Sequence, residues 1–178
     1  DSAVRSGVDA VKFQTYITKQ RAPKGNDEVF KILKDLELPF EAFKELKDYS
    51  KQYDVDFFST PFDKESVKYL ESIGTDLYKI ASFDIVNHQL LREVAKTGKP
   101  VIMSVGMSNL DEIEDAYNIL KEGTNNIAIL HCISSYPTME KDSNLSNIYK
   151  IQEKYDCIIG QSDHTNDIKV PIYAAAAG

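Results

Sequence analysis

Short apolar runs, rich in β-branched and aromatic residues, alternate along the whole chain with segments whose apolar positions recur at helical spacing. The runs predict strands over Ala10–Thr15, Asp56–Thr60, Leu77–Ser82, Val101–Ser104, Ile127–Cys132 and Cys157–Ser162. They are continuous rather than alternating, the pattern of strands covered on both faces in a parallel sheet. Helices are predicted over Glu28–Leu36, Phe40–Gln52, Lys64–Ile73, Leu90–Lys96, Asn109–Lys121 and Leu145–Lys154, each with an apolar stripe such as Val67, Leu70 and Ile73. Ser108 and Asp111 stand where a capping box would open one helix. Gly74, Gly98 and Gly123 stand where helices should stop.

Strand–helix units repeating in this way predict an α/β fold with a parallel sheet. Two architectures fit that description, a doubly wound sheet and a (β/α)8 barrel. Polar residues favour the barrel, because nearly every strand ends in one: Gln14 and Thr15, Ser59 and Thr60, Ser82 and Asp84, Ser104, His131 and Ser134, then Ser162, Asp163 and His164. A barrel brings all its strand ends to one mouth, whereas an open sheet gathers ligand contacts at a single crevice. Six strands do not close an eight-stranded barrel. The chain opens on a helix end at Asp1–Gly7 and stops in the alanine run before Gly178. It is therefore expected to be a partial barrel domain over residues 1–178, covering about strands 2 to 7. Ile17 to Asp27 reads as a basic, loop-like stretch, either a lid or a splice across missing sequence.

Composition narrows the function. The 178 residues are 42% hydrophobic and 28% charged, an ordinary globular balance, and the net charge of -7 argues against a nucleic-acid partner. No apolar run approaches the length of a membrane span and no leader is visible, so a cytoplasmic protein without a membrane partner is expected. Cys132 and Cys157 lie in apolar runs and read as reduced, buried thiols. Glycine-rich phosphate loops, zinc-type cysteine pairs and nucleophile elbows are lacking.

The chemistry-bearing residues are few. Lys12 and Lys79 each sit in mid-strand between apolar neighbours. A buried lysine is costly unless an anion or carboxylate meets it, so two of them point to a site for phosphate or carboxylate, or else to lysines snorkelling from an edge strand or paired to a core carboxylate. The hydroxyls of Thr60, Ser82, Ser104 and Ser162 would add a cradle for an oxygen-rich anion. In Gly160-Gln161-Ser162-Asp163-His164-Thr165, His164 reads as a metal ligand with Asp163 orienting it or the substrate, or as a bystander beside a capping aspartate. His131 reads as a core group and His88 as a solvent-facing one. Arg5, Arg21 and Arg92 all lie away from strand ends.

Six motifs, in order, resemble the strand signatures of the sialic acid synthase family: Val11-Lys12-Phe13-Gln14-Thr15, Phe58-Ser59-Thr60-Pro61-Phe62, Tyr78-Lys79-Ile80-Ala81-Ser82, Ser104-Val105-Gly106-Met107, His131-Cys132 with Tyr136-Pro137-Thr138, and the Gly160–Thr165 run. That family, which includes N-acetylneuraminate, legionaminate, pseudaminate and spore-coat polysaccharide synthases, has a (β/α)8 barrel followed by an antifreeze-like domain. It works as a homodimer with a divalent metal, Mn2+ or Mg2+. The resemblance implies condensation of phosphoenolpyruvate with an N-acetylated amino sugar. It implies that Lys12, Thr60, Lys79, Ser82, Ser104, Tyr136 and Ser162 hold phosphoenolpyruvate, with Ser134 where many members have asparagine. His164 would be one of two histidine metal ligands, and Gln14 would line the mouth. Asp84 stands where sialic acid members carry a glutamate that contacts the sugar, in a pattern closer to the pseudaminate and spore-coat branches. The family's glutamate base and second histidine fall outside these residues, so the chain taken literally is expected to be inactive. The rival functions are another phosphoenolpyruvate-dependent keto-deoxy acid synthase and a non-catalytic barrel that binds a sugar acid or serves as a scaffold.

Overall fold

The computed structural model describes residues 1–178, which fall into two compact units, Asp1–Lys79 and Ile80–Gly178. The first unit begins with helix α1 (Ser2–Arg5) and strand β1 (Ala10–Thr15), followed by α2 (Thr18–Arg21), α3 (Asp27–Leu36) and α4 (Phe40–Lys51). Strand β2 (Asp56–Pro61), α5 (Lys64–Ser72) and β3 (Tyr78–Ile80) follow. In the second unit come a 3-10 turn at Ser82–Asp84, α6 (His88–Ala95), β4 (Val101–Ser104), α7 (Leu110–Lys121), β5 (Ile127–Cys132), α8 (Asn147–Lys154), β6 (Ile158–Ser162) and α9 (Lys169–Ala176). Predicted and observed strands agree to within about two residues at each end.

Pairing is parallel throughout. In the first unit β1 pairs with β2 and β2 with β3; in the second β4 pairs with β5 and β5 with β6. Within each unit, spatial order follows chain order. A doubly wound sheet reverses its order at a switch point, whereas a (β/α) barrel never does. Neither unit contains a reversal.

Local sequence explains the boundaries. The capping box of α7 sits one residue later than predicted. The Asn109 side chain accepts from the backbone of Asp111 and Glu112 at 3.0 Å each, and Glu112 accepts from the Asn109 N–H at 2.9 Å. Glutamate reaches back where aspartate at 111 is too short, which is why Ser108 takes no part. Gly74 and Gly98 end their helices at φ of 70° and 68°, in the left-handed region that favours glycine. Gly123 has a different reason to be glycine: a Cβ there would overlap the backbone of Ala95, so α6 and the end of α7 meet without a side chain between them.

The segment Ile17–Asp27 is not a free loop. Its first part forms α2, and the Ile17 N–H donates to Asp63 Oδ2 at 2.8 Å while the same carboxylate caps α5 through Ser66. Tyr16 and Thr18 are buried. The two cysteines are unpaired, Cys132 buried and Cys157 half-buried. No helix is long and apolar enough to cross a membrane.

A Gly123→Ala variant of the complete protein should lose about 1–3 kcal/mol of stability, the usual cost of forcing a methyl into filled space. An equilibrium denaturation midpoint equal to that of the parent would show that α6 and α7 do not approach as closely as described.

Candidate active site

Strand geometry sorts the candidate residues by face. Register pairs Lys12 with Phe58 and Gln14 with Thr60, and Ser59 with Tyr78, which sets Thr60 beside Lys79. Because side chains alternate along a strand, Lys12, Gln14, Thr60 and Lys79 share one face of the first unit's ladder. Phe13, Thr15, Phe57, Ser59 and Tyr78 take the opposite face, which is closed by its own contacts. Phe13 stacks on Phe57 at 5.5 Å, Thr15 and Ser59 share a 2.7 Å hydroxyl hydrogen bond, and Tyr78 donates to Glu71 at 2.6 Å. Burial first, and the Glu71 carboxylate second, push the Tyr78 phenol well above its usual pKa. Of the polar strand ends named from sequence, Thr15 and Ser59 therefore belong to the packing face. A one-residue step along a strand reverses direction, and terminal position alone does not reveal it.

The two lysines differ in setting. Lys79 is only 7% exposed. Lys12 is an exposed residue with no acidic partner, yet partial burial of its ammonium lowers its pKa below that of an ordinary lysine. Gln14 is held by Arg21, whose Nη1 donates to Gln14 Oε1 at 3.2 Å and whose guanidinium lies over the rings of Phe62 at 3.9 Å and Tyr16 at 4.4 Å. Sequence placed Arg21 away from every strand end. The turn through α2 brings it back to the end of β1, a non-local approach that spacing does not disclose.

In the second unit register pairs Ser104 with Leu130 and Cys132 with Ser162, so Ser104, Cys132 and Ser162 lie on one face. Met103, Ile129, His131 and Ile159 take the other, buried face. His131 is the core group expected, its Nε2 bonded to the Ser143 carbonyl at 2.7 Å. His88, expected to face solvent, instead starts α6 and is half-buried. Ser82 and Asp84 are both buried in the 3-10 turn, with the Asn87 amide 3.5 Å from Asp84 Oδ1. Cys132 is the residue that sequence reading passed over as a core thiol. Its Sγ lies 3.0 Å from Ser82 Oγ, and the Gly106 N–H also donates to that hydroxyl at 3.1 Å. Ser134 is half-buried in the loop after β5. Tyr136 is 76% exposed, with its ring 4.2 Å from that of His164.

His164 is oriented by the backbone and not by Asp163. Its Nδ1 lies 2.8 Å from the Ile133 carbonyl, which can only accept, so Nδ1 carries the proton. Nε2 is then the lone-pair nitrogen, 3.5 Å from Ser162 Oγ, in the form that ligates a metal. The Asp163 carboxylate accepts from the Thr165 hydroxyl at 2.9 Å and 3.1 Å and from its N–H at 3.3 Å. It shapes the turn that carries His164. No three histidine, cysteine or acidic side chains cluster in a way that could hold a metal ion. A cavity of about 640 Å³ lies elsewhere, lined by His131, Val105, Leu110, Ile113 and Ile151 near the starts of α7 and α8. It is bounded by the helix side of β5 and not by the serine-bearing face.

Residues 1–178 match the NeuB family. The chain belongs to that family. It is 38% identical over 192 residues to the N,N'-diacetyllegionaminic acid synthase of Campylobacter jejuni, covering 99% of this chain and 58% of that protein. It is 43% identical to the uncharacterized protein MJ1065 of Methanocaldococcus jannaschii, covering 99% of this chain and 52% of that one. Among solved structures, the N-acetylneuraminic acid (sialic acid) synthetase of Leptospira borgpetersenii in complex with citrate is 40% identical with a TM-score of 0.95, covering 99% of this chain and 61% of that one. The chain spans a little over half the length of the curated relatives it matches. Its fold is α/β, a run of βα units of the (β/α)8 barrel.

Removing the desolvated charge should separate stability from binding. The Lys12 ammonium is disfavoured in the folded state, so its penalty is full below the lowered folded pKa and fades as pH rises toward 10.5. Lys12→Met should therefore melt at a higher temperature than the parent at neutral pH, with the gap narrowing as pH climbs. A lower melting temperature for the variant at neutral pH would contradict a strained cation.

Proposed function

We propose that the complete protein condenses phosphoenolpyruvate with an N-acetylated amino sugar, releasing phosphate and a nonulosonic acid of the sialic type. The acceptor class is N-acetylmannosamine or a 2,4-diacetamido-trideoxyhexose, and the product would serve a surface or spore-coat polysaccharide. The observation that carries this reading is the common face of Lys12, Thr60 and Lys79, which offers two cations and a hydroxyl to one anion. The names of the relatives support the acceptor class.

In this reading Lys12 and Lys79 neutralise the carboxylate and phosphate of phosphoenolpyruvate, with Thr60, Ser82, Ser104, Ser134, Tyr136 and Ser162 completing its hydrogen bonds. The alkene carbon attacks the aldehyde of the open-chain sugar, and positive charge develops at the carbon bearing the phosphate ester. Water adds there, and the tetrahedral adduct expels phosphate to leave the 2-keto acid. The lysines work by position and field rather than by proton transfer. Gln14 and Asp84 face the sugar, and Asp163 keeps His164 in place through its turn. A divalent metal, Mn2+ or Mg2+, would be held in part by His164 Nε2 and would polarise the aldehyde oxygen. The protein is read as a cytoplasmic homodimer.

A second reading has one observation in its favour. Arg21 at the end of β1 adds a cation of the kind a phosphorylated acceptor needs, as in synthases of keto-deoxy acid phosphates. Phosphate release by the complete protein, with phosphoenolpyruvate and a panel of N-acetyl amino sugars and sugar phosphates, separates the two. Turnover only with N-acetyl sugars is expected, and turnover only with sugar phosphates would overturn the proposal. Silence with both would leave the scaffold reading in possession. Lys79→Ala should cut kcat/KM for phosphoenolpyruvate by about 100-fold or more, the scale of losing a charged contact to an anion, with the circular dichroism spectrum unchanged. Unaltered kinetics would refute the anion site. Exhaustive chelation should abolish turnover, and His164→Ala should weaken Mn2+ binding measured by calorimetry; full activity in chelator would remove His164 from the chemistry.

A further inference from the structure

The Ser82 hydroxyl already accepts one backbone hydrogen bond and has a thiol within hydrogen-bond distance. A serine oxygen has two lone pairs and one proton. The Gly106 N–H occupies one lone pair at 3.1 Å, and Cys132 Sγ lies at 3.0 Å. All three groups are fixed by the fold. Cys132 ends β5 and is 3% exposed, Ser82 is 8% exposed, and Gly106 cannot carry a side chain because a Cβ would come within 2.5 Å of both the Cys132 carbonyl and its sulfur.

We infer that Cys132 is a positioning residue: its thiol donates to Ser82 Oγ and, with the Gly106 N–H, fills both lone pairs, so that Ser82 presents only its proton to an anionic substrate. A hydroxyl with a free lone pair can rotate and offer that lone pair to a phosphate or carboxylate, which repels it. One whose lone pairs are already taken has a single useful orientation left, and binding need not bear the cost of fixing it. The thiol suits the role because sulfur is a weak acceptor and competes poorly for the serine proton. This inference rests on Ser82 touching phosphoenolpyruvate, as proposed above.

The test is a double-mutant cycle in the complete protein, reading KM and kcat for phosphoenolpyruvate by phosphate release. Cys132→Ala should raise KM by about three- to tenfold, the range of one net hydrogen bond, with a smaller change in kcat. Cys132→Ser, which keeps a donor at that place, should recover most of the loss. In a Ser82→Ala background Cys132→Ala should add little, because the group it positions is gone. An equal KM penalty with and without Ser82 would overturn the inference, as would a Cys132→Ser variant no better than Cys132→Ala. Should Ser82→Ala leave KM at the parent value, the placement of Ser82 in the anion site fails, and the inference falls with it rather than by itself.

Discussion

A parallel ladder with fixed register makes the position of every side chain depend on a single offset. In the first unit that offset sets Gln14 against Thr60 and Ser59 against Tyr78. Two lysines more than sixty residues apart consequently share a face. A slip of one residue in β1 would turn Lys12 and Gln14 into the packing layer and bring Phe13 and Thr15 out. The Phe13–Phe57 stack and the Thr15–Ser59 hydrogen bond oppose such a slip, since both would be lost together. The apolar side of the sheet thus holds the cations in place.

Burial by itself says little about function, and the lysines make the point. Lys47, on α4, is 7% exposed, and its ammonium is spent on the carbonyls of Ile73 and Gly74 at the end of α5. It fastens a helix to a turn. Lys12 has no such partner and a depressed pKa from desolvation. A cation that meets no protein anion keeps capacity for a ligand. Lys47 and Lys12 differ in partner as well as in depth.

Strands and helices were legible because burial on both sheet faces leaves continuous apolar runs, and helices keep their stripe. The capping box was misplaced by one residue because Ser108 and Asn109 are both good caps, and only the reach of Glu112 decides between them. At the site, Lys12, Thr60 and Lys79 could be picked out as polar residues breaking apolar strands. Arg21 and Cys132 could not. Arg21 reaches Gln14 through a turn whose path depends on the Asp63 carboxylate, many residues downstream. Cys132 looks like any core thiol until the pairing of β5 with β6 turns it to the same face as Ser162. Both depend on contacts between segments distant in sequence, which periodicity does not encode.

The same reasoning explains why Asp163 and His164 divide their work as they do. An aspartate beside a histidine invites the reading that the carboxylate orients the imidazole. Here the carboxylate closes a turn on Thr165, and the Ile133 carbonyl fixes the ring. A carbonyl can only accept, so it fixes Nδ1 as the protonated nitrogen and leaves the lone pair on Nε2. The Tyr136 ring lies beside the imidazole, tilted at 38° with centroids 4.2 Å apart. The orientation of the lone pair is therefore a property of how β5 and β6 end, and it is in place before any ligand arrives.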